Sequence, residues 1–258
     1  MKKLTVLITG GTSGIGLSVA KTFAERGNCN LFLTGLEDNG KAIADEISAK
    51  YGVETDFYRA DLSSERDIDL LVEHCIVMFG GADVLINNAG IQFVSPIEQF
   101  PSDMWNKIIA VNLTAAYQLT KRVWHHMKTH GYGRIINISS VHGIRASEYK
   151  SAYVAAKHGL NGLTKVTALE GAPLGITCNA ICPGYVRTPL VEKQIKDQAK
   201  AHQISEEEVI EKVMLKKQAV KKFVQPEFIG KLCLMLTEEG AEMMNGALLT
   251  ADGAWSVQ

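Results

Sequence analysis

The chain has 258 residues, 27 Lys+Arg against 28 Asp+Glu and a formal net charge of −1. A hydrophobic share of 46% with 21% charged residues excludes bulk disorder, and so even a charge balance argues against broad nucleic-acid or anionic-membrane binding. Five scattered cysteines, Cys29, Cys75, Cys178, Cys182 and Cys233, are odd in number and form no CxxC pair, which predicts a reduced, soluble, cytoplasmic protein.

The elements alternate along the chain. A β-branched strand at 4–9 runs into a glycine-rich turn, and a helix follows over 15–26. Its apolar start breaks at Thr9-Gly10-Gly11, too early for a signal peptide. A strand at 31–34, a helix at 40–51, a strand at 55–58 and a helix at 64–79 repeat the pattern. Next come a strand at 84–87, one long helix at 102–129, a strand at 134–139, a helix at 151–169 and a strand at 176–182. A polar stretch at 188–222 precedes a final helix at 226–237 and a strand at 247–250. No run approaches the ~18 uninterrupted apolar residues of a membrane span. Strands separated by helices imply parallel pairing with crossovers on both faces. The expected fold is therefore α/β, a Rossmann-like doubly wound parallel sheet of seven strands in a single domain over 1–258, with 188–222 as a helical substrate lid.

The first turn, Thr9-Gly10-Gly11-Thr12-Ser13-Gly14-Ile15-Gly16, lies between a strand and a helix. There it aims backbone N–H groups and the positive helix end at a pyrophosphate. Gly10 permits the turn, Gly14 a close backbone approach and Gly16 tight helix packing. No Gly-Lys-Ser/Thr follows, so this is not a Walker loop. With Asp61-Leu62 after the third strand, Asn87-Asn88-Ala89-Gly90 after the fourth and Pro183-Gly184 after the sixth, the turn resembles the TGxxxGIG, NNAG and PG segments of the short-chain dehydrogenase/reductase family. The resemblance covers essentially the whole chain. It implies cofactor contacts at Gly10, Thr12, Ser13, Gly14, Ile15, Gly16, Leu36, Asp61, Leu62, Asn88, Ala89, Gly90, Tyr153, Lys157, Pro183, Gly184, Val186 and Thr188. Leu36 offers no carboxylate to a ribose 2′-hydroxyl, yet no Arg or Lys at 33–40 offers a cation to a 2′-phosphate, so NAD is expected over NADP.

Tyr153 and Lys157 stand four residues apart, on one helical face. The family resemblance assigns Asn112, Ser140, Tyr153 and Lys157 as the catalytic tetrad, with Asn112 holding a water in a relay with Lys157. The residue types suit alcohol oxidation. A phenol with pKa ≈ 10 becomes a base near neutrality only if its phenolate gains about 4 kcal/mol, which a neighbouring ammonium can supply. Ser140 can hold the reacting oxygen.

Gln92, His142, Lys150 and Gln194 combine one permanent cation, one titratable imidazole and two amides, a set that can orient a small carboxylate. Together with SAYVAAKHG at 151–159 and ICPGYVRTPLVEKQI at 181–195, the set resembles the bacterial branch of the family acting on D-3-hydroxybutyrate. The resemblance implies substrate contacts at Gln92, Ser140, His142, Lys150, Tyr153, Tyr185 and Gln194, with Tyr185 replacing an expected Trp. The expected partner is a small hydroxy or keto acid, and a homotetramer follows by analogy through the helices at 102–129 and 151–169. A 3-oxoacyl thioester reductase is the alternative enzyme, and a nucleotide-sensing protein without catalysis is the alternative class. No metal site is expected. His126 and His130, although one helical turn apart, read as solvated helix-end residues, and the Lys216-Lys217 and Lys221-Lys222 pairs are too small a cluster for nucleic acid.

Overall fold

The computed structural model describes residues 3–189, 191–192, 195–196, 199 and 203–257. Seven strands, β1 (Leu4–Thr9), β2 (Cys29–Gly35), β3 (Glu54–Arg59), β4 (Val84–Asn87), β5 (Gly133–Ile138), β6 (Ile176–Pro183) and β7 (Leu248–Ala251), form one parallel sheet in the order β3-β2-β1-β4-β5-β6-β7. Helices α1 (Gly14–Arg26), α2 (Gly40–Tyr51), α3 (Glu65–Phe79), α4 (Ser102–Ile109), α5 (Ala115–His130) and α6 (Ser151–Gly171) make the crossovers. After β6 come a short α7 (Glu206–Val209) and then α8 (Pro226–Met235). The chain is thus a doubly wound Rossmann-like α/β protein.

β1 explains why its sequence is apolar without alternation: both faces are covered. Val6 and Ile8 pack with Val19, Phe23 and Ile229 on one side. Leu7, on the opposite face, packs with Phe32, Leu85, Leu119 and Met127. The order reverses between β1 and β4, and a crevice opens there at the carboxyl ends of the strands, where open α/β sheets bind ligands.

The predicted unbroken helix at 102–129 is corrected. Five residues, Ala110–Thr114, form a π-helical turn between α4 and α5. Asn112 sits in this turn, and its side chain is the cause that the local geometry offers. Oδ1 accepts from the Ile91 N–H and Nδ2 donates to the Ile91 carbonyl, both at 2.9 Å. Insertions of this kind are frequent at functional sites.

The 188–222 segment carries a small apolar core of its own. Val191, Ile195, Val209 and Met214 are buried together, with Tyr185, Ile204 and Phe223 packed against them. A capping box, Ser205 with Glu208, starts α7. Among the described residues, no helix is long and apolar enough to cross a membrane.

Candidate active site

The glycine turn is built to hold a phosphate. A Cβ on Gly16 would lie 2.0 Å from the Gly10 carbonyl oxygen, so only glycine lets α1 start against the turn. No acidic residue occupies the first turn of α1, and the Ser13 hydroxyl makes no cap bond. The helix N–H groups therefore face the crevice without a side-chain acceptor, which suits an anion. Asn88, after β4, braces this turn. Its Nδ2 donates to the Thr9 and Gly10 carbonyls at 2.9 and 3.1 Å, while Thr9 Oγ1 accepts from the N–H groups of Asn88 and Ala89. Thr188 comes within 3.5 Å of where a Gly14 Cβ would stand. The residues present thus fit a dinucleotide cofactor.

Leu36 is exposed at the end of β2. Its neighbour Glu37 was missed by the sequence reading, although it is the next residue along. Glu37 Oε2 accepts a 2.6 Å hydrogen bond from Thr12 Oγ1, which sets a carboxylate beside the glycine turn. Arg59, from β3, donates its Nε to the Leu36 carbonyl at 3.0 Å and lies 3.4 Å from Asp38. Asp61 accepts from the N–H and Oγ of Ser63, which hold its carboxyl below the usual range, and Leu62 is buried beside it.

Next to the turn is a cavity of about 210 Å³. Ile15, Asn88, Gly90 and Gln92 line one side, and Pro183, Gly184, Tyr185, Val186 and Thr188 another. Ser140, His142, Lys150, Tyr153 and Lys157 complete it. The fold therefore brings the predicted catalytic and substrate residues to one place, except two. Asn112 lies behind the wall on Ile91, and Gln194 lies outside the described residues.

Local structure places each group. Ser140 follows β5 and caps a short turn, Val141–Gly143, by accepting the His142 N–H at 3.1 Å. That turn packs on α6 because residue 143 is glycine, where a Cβ would lie 2.5 Å from Asn161 Nδ2. Tyr153 and Lys157 project from α6. Lys157 Nζ donates to the Ile138 carbonyl at 2.8 Å and lies 5.6 Å from the Tyr153 ring centroid. Burial pushes the Lys157 ammonium down to about 8, which leaves it charged near neutrality. Burial also raises the Tyr153 phenol, opposed by its hydrogen bond with Ser140.

His142, expected as a titratable imidazole, lies between two hydroxyls. Nδ1 lies 3.3 Å from Ser140 Oγ and Nε2 3.0 Å from Ser147 Oγ. Burial first, and then the charges of Lys150, Lys217 and His158, push its pKa down to about 3. His142 is a neutral hydrogen-bonding group. Tyr185 keeps an aromatic wall, and it is doubled. Trp255, beyond β7, stacks on it with centroids 5.9 Å apart and meets the His142 ring edge-on at 5.3 Å. Nothing in the sequence near residue 255 signals this placement.

His126 is also corrected. Its Nε2 lies 3.4 Å from Asp83 Oδ1 and its ring packs on His130 with centroids 4.2 Å apart, so it is a half-buried partner rather than a solvated end residue. Among the described residues no three His, Cys, Asp or Glu side chains are grouped to hold a metal.

The family model described as short chain dehydrogenase matches residues 4–199. The chain is 48% identical over 256 residues to the D-beta-hydroxybutyrate dehydrogenase of Rhizobium meliloti (strain 1021), covering 98% of this chain and 99% of that protein. It is 46% identical to the enzyme of the same name from Cupriavidus necator, covering 98% of both. Among solved structures it matches an actinorhodin polyketide ketoreductase variant crystallised with NADPH, at TM-score 0.92 and 30% identity, with both chains fully covered. The L-sorbose reductase of Gluconobacter frateurii, solved with NADPH and L-sorbose, matches at TM-score 0.93 and 28% identity, covering 98% of this chain and 96% of that one. This protein is therefore an oxidoreductase with a nicotinamide cofactor, and it belongs to the short chain dehydrogenase family.

Proposed function

We propose that the protein oxidises D-3-hydroxybutyrate to acetoacetate with NAD, and catalyses the reverse reduction. The observation that carries this reading is a single cavity in which Ser140, Tyr153 and Lys157 stand beside Gln92 and Lys150. The first three suit the chemistry of a secondary alcohol, and the last two suit a carboxylate. Near-full-length identity to two proteins named for this reaction supports the same substrate.

In the oxidation, the Tyr153 phenolate takes the hydroxyl proton as the C–H electron pair leaves as hydride. Nicotinamide, when bound, is the hydride acceptor. The phenolate is disfavoured by burial, so its formation depends on the Lys157 ammonium nearby and on the Ser140 hydroxyl. Ser140 also holds the substrate oxygen close to the phenol. Lys150 and Gln92 bind the carboxylate, and neutral His142 orients Ser140.

Asn112 supports the site from behind by fixing Ile91, next to Gln92. The glycine turn, Asn88 and the Pro183–Thr188 segment hold the cofactor. NAD is favoured over NADP by Glu37, whose carboxylate would repel a 2′-phosphate, and by the engagement of Arg59 with Leu36 and Asp38.

We read the chain as one domain with 188–222 as its lid, since Thr188 and Val191 line the cavity while Val191 is anchored in the segment's own core. Exposed Tyr117 on α5 and Val166 and Leu169 on α6 support assembly through these helices into a homotetramer. Five free, buried cysteines go with a reducing, cytoplasmic setting.

A substrate panel tests the function. With NAD, D-3-hydroxybutyrate is expected to be oxidised with a far higher kcat/KM than its methyl ester or 2-butanol, and NADP is expected to be the poorer acceptor. Equal kcat/KM for the uncharged alcohols, or a preference for NADP, contradicts the reading.

A further inference from the structure

The aromatic wall of the cavity carries a second lysine, from a different part of the chain. Lys217 follows the π-helical turn Ile210–Met214. Its Nζ lies 3.5 Å from Ser147 Oγ and 5.8 Å from the Trp255 ring centroid. On the same wall, Lys150 Nζ lies 5.8 Å from the centroid of Tyr185, the ring on which Trp255 stacks. Two ammonium groups therefore approach one stacked aromatic pair, each near a different ring.

The placement of Lys217 is fixed by its neighbour. Gln218 is buried, and its Oε1 accepts from the Tyr185 N–H at 3.2 Å. Its Nε2 donates to the Val220 and Lys222 carbonyls at 3.2 and 3.0 Å. The loop bearing Lys217 is thereby bolted to the strand end that supplies Tyr185. The charge of Lys217 is felt in the cavity: after burial, it holds the Lys150 ammonium below its ordinary range and helps keep His142 neutral. Like charges converging on one wall raise the energy of the empty site, and an anion bound there relieves them.

We propose that Lys217 is a specificity-determining residue, the second cation of the substrate-carboxylate end, acting with Lys150 to select anionic substrates. The proposal rests on the activity on a 3-hydroxy acid given above. With His142 neutral, the two lysines carry the positive charge of this end. Lys150, the more buried, lines the cavity and contacts the carboxylate, while Lys217, exposed beside Ser147 and Trp255, attracts it through its charge. Its effect belongs in KM rather than kcat, because it touches neither the reacting oxygen nor the phenol.

Steady-state kinetics with NAD test this in the unsubstituted protein and in Lys217→Gln, Lys217→Arg and Lys216→Gln. Lys217→Gln is expected to raise KM for D-3-hydroxybutyrate by about ten-fold, with kcat changed by less than about two-fold. KM for the methyl ester is expected to stay the same. Lys217→Arg should restore the low KM, and Lys216→Gln, which removes the adjacent charge, should leave it alone. Butyrate binding to the NADH-loaded protein is read in parallel and should weaken in Lys217→Gln by the same factor. Unchanged KM and butyrate affinity in Lys217→Gln overturn the assignment, as does an equal rise in KM for the ester. If the unsubstituted protein binds butyrate through Lys217 but does not oxidise 3-hydroxybutyrate, the anion site stands and the proposed activity falls.

Discussion

Both ring nitrogens of His142 are engaged, one near Ser140 Oγ and the other near Ser147 Oγ, and the ring is shielded by Trp255 and Tyr153. Protonation would remove the acceptor, place a charge in a buried site and set it near two lysines. The folded protein accordingly holds His142 neutral down to about 3, whereas in the unfolded chain it titrates at about 6.5. Between those values the unfolded state binds the extra proton. The stability that His142 contributes is complete above about pH 6.5 and is lost as pH falls toward about 3. His142→Gln keeps an acceptor and a donor without a titrating group. The difference in urea midpoint between the unsubstituted protein and His142→Gln is expected to shrink as the pH is lowered from about 7 to about 4.5. A pH-independent difference contradicts the neutral-histidine account. The residue type alone suggested a titratable imidazole, because the sequence showed neither Ser147 as a partner nor Trp255 as a cover.

At the scale of elements, the π-helical turn between α4 and α5 couples helix geometry to the site. Asn112 satisfies both main-chain polar groups of Ile91, the residue between Gly90 and Gln92. Asn112→Ala would leave the half-buried N–H and C=O of Ile91 without their partners, at a cost of about 1–2 kcal/mol. The expected outcome is a lower Tm together with a reduced kcat, since the loop carrying Gln92 loses its anchor. An unchanged Tm in calorimetry contradicts this role. Periodicity could not reveal the turn, because one extra residue in a helix barely disturbs the apolar pattern on either side. The sequence did reveal Asn112 itself, by family resemblance, but as a water holder. The two hydrogen bonds of its side chain to Ile91 were not legible, because residue 91 lies 21 positions away in the chain.

In the whole molecule, the parallel sheet and its crossovers were legible because short, nearly continuous apolar runs alternate with longer amphipathic helical patterns. β1 shows how far that legibility extends. Leu4–Thr9 reads correctly as a strand, while its burial on both faces is visible only once α1, α8, α3 and α5 are placed. The site was legible where motifs close strands, at the glycine turn, Asn88, Ser140 and Pro183-Gly184. It was not legible where distant segments meet, as with Glu37 against Thr12, Trp255 against Tyr185 and Lys217 against Ser147.

The near-neutral net charge likewise conceals a local concentration of cationic groups at one cavity end. That end and the phenol at the other define the central claim, that Tyr153 is the base that oxidises a short 3-hydroxy acid. The most direct measurement compares NADH formation from D-3-hydroxybutyrate by the unsubstituted protein and by Tyr153→Phe, with NADH binding followed by fluorescence. The account predicts turnover by the former, loss of at least about 1,000-fold in kcat in Tyr153→Phe, and nearly equal NADH affinity for both. Substantial turnover by Tyr153→Phe, or none by the unsubstituted protein, would contradict it.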